Sequence, residues 1–187
     1  MKTIYKIALF AFFGLNMLNL TAQNPAWIWA DGAGDTGNED GTSICTDANG
    51  NVYMTGTYTT LTIFGNDSLS AGGYTDIFLV KYNSSGTVLW AKGFGGPNYD
   101  GANNIALDAS GNVYITGHFG VSILFDTITV NGSSVGNSIF TAKISPSGNV
   151  IWVKCVNTPS GNNDALGLCT DANSNIYVSG YFSGTII

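Results

Sequence analysis

Beyond residue 24 the chain reads as short apolar or alternating runs cut by turn residues. In one stretch, Asn104 to Leu107, Val113 to Phe119, Ile139 to Ile144 and Val150 to Lys154 carry strand patterns. Asp108-Ala-Ser-Gly111 joins the first pair, Ser145-Pro-Ser-Gly148 joins the second, and a longer loop lies between the pairs. Such turns suit hairpins, because Gly tolerates positive φ and Asx or Ser side chains cap the turn locally. Ile77-Phe-Leu-Val80 is continuously apolar, the pattern of a strand buried on both faces.

The pattern repeats. Asp47-Ala-Asn-Gly-Asn-Val-Tyr-Met-Thr-Gly56 returns 61 positions later as Asp108-Ala-Ser-Gly-Asn-Val-Tyr-Ile-Thr-Gly117, and more loosely as Asp171-Ala-Asn-Ser-Asn-Ile-Tyr-Val-Ser-Gly180. Ile77 to Trp90 returns as Ile139 to Trp152, and Trp29 precedes Trp90 by 61. Asp40, Asp100 and Asp164 keep a similar beat. Four strands in a period near 60, buried on both faces, describe a β-propeller blade. A β-sandwich would alternate apolar and polar positions and gives no reason for the period.

The expected fold is therefore all-β: a propeller of four-stranded antiparallel blades with repeats of about 61 residues, incomplete, with two full blades plus parts. Trp29-Ala-Asp matches a fourth strand placed before the first complete unit, the ring-closing device of a propeller. The expected divisions are a signal at 1–23, a ring-closing outer strand at 24–34, blade one at 35–93, blade two at 94–156, and the first half of blade three at 157–187. A closed ring takes about four to eight blades, so the sequence is read as a fragment of a longer chain. Closure by oligomerisation is the rival reading.

Residues Met1 to Gln23 carry the signal pattern: Lys2 and Lys6, the apolar Ile7 to Leu15, then small residues near Ala22. Asn16 and Asn19 interrupt the run before the roughly 20 residues a spanning helix needs. The expectation is an exported protein, secreted or at the outer-membrane surface, and not membrane-spanning after cleavage. Composition adds to this. There are 25 Gly, about twice average usage, and only 10% of residues are charged. Net charge is −6 and no Arg is present, which excludes a nucleic-acid binder reliant on a basic face.

The repeats resemble the Bacteroidetes-type β-propeller repeat, or SBBP repeat. The residues that carry the likeness are Gly95, Gly96, Asp100, Asp108, Gly111 to Gly117, Asp76, Phe78, Lys81, Gly86 and Trp90. Ser138 and Ser174 depart from the pattern, replacing an Asp and a turn Gly. The resemblance implies a secreted or cell-surface propeller, often part of a larger protein with a C-terminal sorting domain. It implies no established activity and supplies no catalytic residues.

Candidate chemistry is sparse. Asp47, Asp108 and Asp171 open segments similar to a calcium loop, but position 12 falls on Tyr58, Phe119 and Phe182 where an acidic ligand is required. Turns capped by Asx side chains are the better account. The acidic stretch Asp31 to Asp40 reads as a solvated loop. His118 is the only histidine, without a marked nucleophile beside it, and reads as a surface or loop residue. Cys45 and Cys169 occupy equivalent strand-one places, which favours small core residues; Cys155 is placed to bond Cys169 in an oxidising compartment, or to stay a thiol. Trp29, Trp90 and Trp152, with Tyr53, Tyr114 and Tyr177, repeat as inter-blade packing would. Asp40, Asp100 and Asp164 cap the entry to strand one, or else ring the channel mouth.

No catalytic, cofactor-binding or metal-binding residue is assigned, and no cofactor is expected. The functional expectation is a secreted or cell-surface module that binds an unknown protein or carbohydrate, with no nucleic acid partner. The alternative is a propeller enzyme with an axial-face site, quinone-dependent or glycan-active, whose catalytic residues lie outside this sequence.

Overall fold

The computed structural model describes residues 28–34, 37–156 and 161–183, and the signal segment 1–23 lies outside them. Every regular element among these residues is a strand. The first sheet holds β1 (Glu39–Thr46), β2 (Val52–Tyr58), β5 (Asp76–Tyr82) and β6 (Val88–Phe94), in that order and antiparallel throughout. The second repeats it with β7 (Gly101–Leu107), β8 (Val113–Phe119), β11 (Ser138–Ile144) and β12 (Val150–Val156). A third sheet pairs β13 (Asp164–Thr170) with β14 (Ile176–Tyr181). Neighbouring contacts bring β1, β7 and β13 side by side, so the sheets fan out from a shared inner edge. This is the partial propeller that the repeat predicts. No sheet closes on itself, and no helix among the described residues is long and apolar enough to cross a membrane.

The loop between strands two and three is itself structured. It folds as hairpin β3 (Leu61–Phe64) with β4 (Asp67–Ser70) in the first unit and β9 (Ser122–Phe125) with β10 (Ile128–Asn131) in the second. The pattern hides the first hairpin because its burial inverts hydropathy. Thr62 is buried, donating Oγ1–H to Glu39 Oε1 at 2.9 Å, while Leu61 and Ile63 face outward. In the second hairpin, Leu124 is exposed but pairs its backbone with Gly95, the residue after β6, N to O, at 2.9 and 3.3 Å.

Sheet-to-sheet packing makes the core. Ile77 and Leu79 of β5 join Tyr53 and Phe94 against Ile115, Phe119, Phe125, Phe140 and Ala142 of the second unit. Phe78, Val80 and Tyr82, on the other face of β5, pack with Phe64, Leu69, Trp29 and Ala33. The unbroken apolar run is thus buried on both faces.

Strand one carries a bulge in all three units, with the register shifting between Gly41 and Ser43, Ala102 and Asn104, and Ala165 and Gly167. It moves the observed start of β7 three residues ahead of the expected Asn104. The bulged side chain ties one blade to the next: Thr42 Oγ1 donates to Ala102 O at 2.6 Å, and Asn103 Nδ2 to Ala165 O at 2.9 Å.

Residues 28–34 form no strand. Trp29 nevertheless lies over Gly86, with its ring 5.5 Å from Tyr82, and Trp90 lies over Gly148 in the same way. Both glycines have φ of +86°. A Cβ at Gly86 would approach the Trp29 ring to 2.7 Å, so Gly is required there for the backbone and for the ring above it.

Candidate functional site

One end of the fan is built from the three Asx turns. In each, a carboxylate Oδ1 accepts two backbone N–H groups, and Oδ2 accepts an Asn amide and a Tyr hydroxyl. Asp108 accepts from Ser110 N at 3.0 Å, Asn112 N at 2.9 Å, Asn112 Nδ2 at 2.9 Å and Tyr114 Oη at 3.0 Å. Asp47 and Asp171 repeat the set through Asn51 and Tyr53, and Asn175 and Tyr177. Lys143 Nζ reaches Asp108 at 3.4 Å and stands over Tyr114 at 5.0 Å. Lys81 stands over Tyr53 at 4.8 Å and donates to Pro146 O.

Burial opposes ionisation of Asp47 and Asp108, but these hydrogen bonds and the lysines hold both carboxyls below their ordinary value. Asn175 lowers Asp171 similarly. The carboxylates are satisfied by their own turns, as hairpin caps require. Ser174 takes the turn position of Gly50 and Gly111 with φ of +62°. The turns border an open concavity of about 600 Å³ with Lys81, Pro146 and Thr170 on its wall.

The opposite end carries the other candidates. Pairing registers place Asp40 opposite Thr57, Gly101 opposite His118 and Asp164 opposite Tyr181. Asp40 and Asp164 are therefore equivalent, whereas Asp100 sits one residue earlier, at the station of Glu39 and Asn163. The three aspartates do not form one ring of carboxylates. Asp100 is fully buried; Oδ1 accepts Gly120 N at 3.1 Å and Oδ2 accepts Gly96 N at 2.6 Å. Asn163 Oδ1 takes the matching bond from Ser183 N at 3.0 Å. This position pins loops, and an amide serves as well as a carboxyl.

His118 is half-buried within β8 instead of lying in a loop. Its Nδ1 is 3.1 Å from Asp164 Oδ1, which Asn103 Nδ2 also reaches. The pair joins the second and third units.

Burial raises the Asp100 carboxyl to about 6 against the Gly120 and Gly96 amides, with nearby Asp76 adding to the rise. A carboxyl raised in the folded state binds its proton more tightly there than when unfolded. Its charged form therefore costs stability above pH 6, and that cost disappears as pH falls toward the unfolded value near 4. Stability is expected to rise by on the order of 1 kcal/mol from pH 7.5 to pH 5. Urea midpoints measured across this range should show the slope, and Asp100→Asn should remove most of it. An unchanged slope in the variant would exclude Asp100 as its source.

The repeated Tyr and Trp meet within each unit, Tyr53 and Trp90 edge to face at 6.2 Å and Tyr114 and Trp152 at 6.0 Å. The link to the next unit runs through Trp90, which lies over Gly148 and donates Nε1–H to Pro146 O at 3.3 Å, whereas Tyr177 is exposed. Cys45, Cys155 and Cys169 are free thiols. Cys45 and Cys155 pack on the core, and burial with nearby Asp47 pushes the Cys45 thiol up to about 11. Cys169 matches Cys45 in register but is exposed. The sequence placed Asp76 in the repeat pattern but gave it no role. Buried at the entry to β5, its Oδ2 accepts Gly72 N at 2.7 Å. Ser138, at the same place in the second unit, accepts Ser133 N at 2.8 Å with its one oxygen. That 62-residue correspondence was the available signal.

Four-stranded meanders fanned from a shared inner edge, with the same turn, bulge and Trp station in each, define a repeat β-propeller-type protein. The family model of the SBBP beta-propeller repeat matches residues 89–118, from β6 through the second Asx turn into β8. The chain is also similar to an uncharacterized WD repeat-containing protein, L264, of Acanthamoeba polyphaga mimivirus. The two are 28% identical over 189 residues, covering 85% of this chain and 14% of the relative.

Proposed function

We propose that this chain is a secreted or cell-surface propeller module that binds partners and provides a scaffold, without catalysis of its own. In this reading residues 1–23 are an export signal, 24–34 close a ring, and 35–93, 94–156 and 157–187 are successive blade segments. One observation carries it: the repeated polar residues are consumed by the scaffold. Asp47, Asp108, Asp171 and Asp100 each spend their oxygens on loop amides and neighbouring side chains, leaving the faces between them for recognition. The likeness to a WD repeat-containing protein, a class built from propeller blades, supports an interaction role by analogy.

Expression of the full sequence in a host with an export pathway tests the reading. N-terminal sequencing of the exported product should begin near residue 24, and the purified protein should retain partners while leaving peptide and glycan substrates unchanged. Retention of residues 1–23 on cytosolic protein would overturn the export half. Turnover of either substrate would overturn the other.

A further inference from the structure

The scaffold accounts for the repeated residues, so a surface feature that does not repeat needs another reason. Tyr74 and Tyr99 form such a feature at the junction of the first two units. Their rings stack 4.8 Å apart and 13° from parallel, yet remain 62% and 58% exposed. Each ring covers one face of the other and leaves the rest to solvent.

The loops that present them are firmly held. Tyr74 N donates to Asn98 O at 3.1 Å, Asp100 N to Thr75 O at 3.0 Å, and Thr75 Oγ1 to Asp100 O at 3.2 Å. Thr75 and Tyr99 form a parallel bridge. A Cβ on Gly73 would come within 2.6 Å of Asn98 O, so the two loops lie in direct contact. Beneath them, the Asp76 and Asp100 carboxyls take the Gly72 and Gly96 amides.

The next junction keeps this framework without the rings. Gly136 stands at the station of Tyr74 and Asn162 at that of Tyr99. Ser138 and Asn163 still hold the loops, with Asn163 Nδ2 donating to Asn137 O. The second junction thus folds without the tyrosines, which leaves the stacked pair, with one open face on each ring, free to serve recognition.

The rim selects its chemistry. Residues 71–75 and 95–99 contain no Lys, Arg, Asp or Glu, and the acids behind them are buried. A charged peptide finds no counter-charge there. An uncharged hexopyranose matches: its C–H face covers an aromatic face, and its hydroxyls bond to the phenol hydroxyls. Rings already ordered by their mutual stacking lose little freedom on binding. We infer that the Tyr74–Tyr99 pair is a stacking platform for neutral glycans. This deepens the binding-module reading and rests on it.

The test is affinity electrophoresis of the full chain in native gels containing hydroxyethylcellulose, glucomannan or xyloglucan, with polygalacturonate as the charged control. Retardation by at least one neutral polymer is expected. Tyr74→Ala and Tyr99→Ala should each weaken it about tenfold, while the Tyr74→Phe/Tyr99→Phe double variant stays within about threefold. Urea midpoints of the Ala variants should match the parent, separating lost binding from lost folding. Absence of retardation by all three neutral polymers, equal retardation of the Ala variants, or retardation by polygalacturonate alone would each overturn the inference. If no neutral polymer retards the chain but it still captures a protein partner, the glycan platform fails while the binding-module reading stands.

Discussion

Replacing Gly117 with Ala is expected to lower unfolding free energy by about 3 kcal/mol or more. The cause is backbone crowding at the bulge of strand one. A Cβ at Gly117 would lie 2.0 Å from the carbonyl oxygen of Gly101 and 2.9 Å from Cα of Ala102. Both are backbone atoms, and the site is buried between β7 and β8, so no side chain can swing away. Relief requires moving β7, which also supplies Ala102 O to the Thr42 hydroxyl of the first unit. The strain therefore reaches the inter-blade clasp as well as the hairpin.

Gly56 and Gly180 meet the same obstacle, at 1.9 and 2.0 Å from Asp40 O and Asp164 O. Gly111→Ala is the control. That residue has φ of +76°, and its nearest Cβ contact is Pro146 Cγ at 3.6 Å. Its loss should be about 1 kcal/mol, the left-handed backbone cost alone. Urea unfolding of the two variants decides the matter; equal, small losses would mean that the bulge relaxes freely.

Asp108→Ala is expected to cost about 3 kcal/mol. It removes acceptors for two backbone amides, the Asn112 side chain and the Tyr114 hydroxyl, and leaves the Lys143 ammonium without its carboxylate. Tyr114 is 1% exposed, so its hydroxyl has no ready access to water. Asp108→Asn keeps one acceptor oxygen and should lose less. Asp171→Ala removes the same turn bonds where solvent replaces them, and should shift the midpoint far less.

The pH response follows from the direction of the shifts. Asp108 and Asp47 are lowered in the folded state, so their stabilisation is present above the unfolded carboxylate value near 4 and is lost as pH falls below it. Asp100 acts in the opposite sense between about 6 and 4. The stability maximum should therefore lie in mild acid, near pH 5. Asp108→Ala should flatten the acid limb and Asp100→Asn the neutral one, as read from urea midpoints across pH 3 to 8. A parent maximum above pH 7 would contradict the Asp100 assignment, and an acid limb unchanged in Asp108→Ala would contradict that of Asp108.

The recurring decapeptides were legible because they are local. Asp108 caps residues two to six positions away, so one copy of the segment contains most partners of its carboxylate. The burial of Ile77 to Val80 on both faces was legible for a similar reason: hydropathy along one strand reports both of its faces. Equivalence across units was less secure. Asp100 falls in step with Asp40 and Asp164 only to within one residue, and a single step along a strand exchanges its faces. Pairing registers resolve it: they set aside the alternative of a carboxylate ring and leave Asp100 a buried anchor of loops just before β7.

By itself, then, the sequence determined the repeat, the strands, the capped turns and the all-β blade class. These follow from side-chain periodicity and from turn chemistry acting over a few residues. Tertiary structure alone decided the hairpins within the long loops, the bulges with their obligatory glycines, the His118–Asp164 pairing and the exposed Tyr74–Tyr99 stack. Each depends on atoms brought together from separate strands or loops. Thr62 and Leu61 show the physical reason most clearly. Burial there depends on which neighbour supplies a hydrogen bond, so the hydroxyl goes inward to Glu39 and the leucine stays in water.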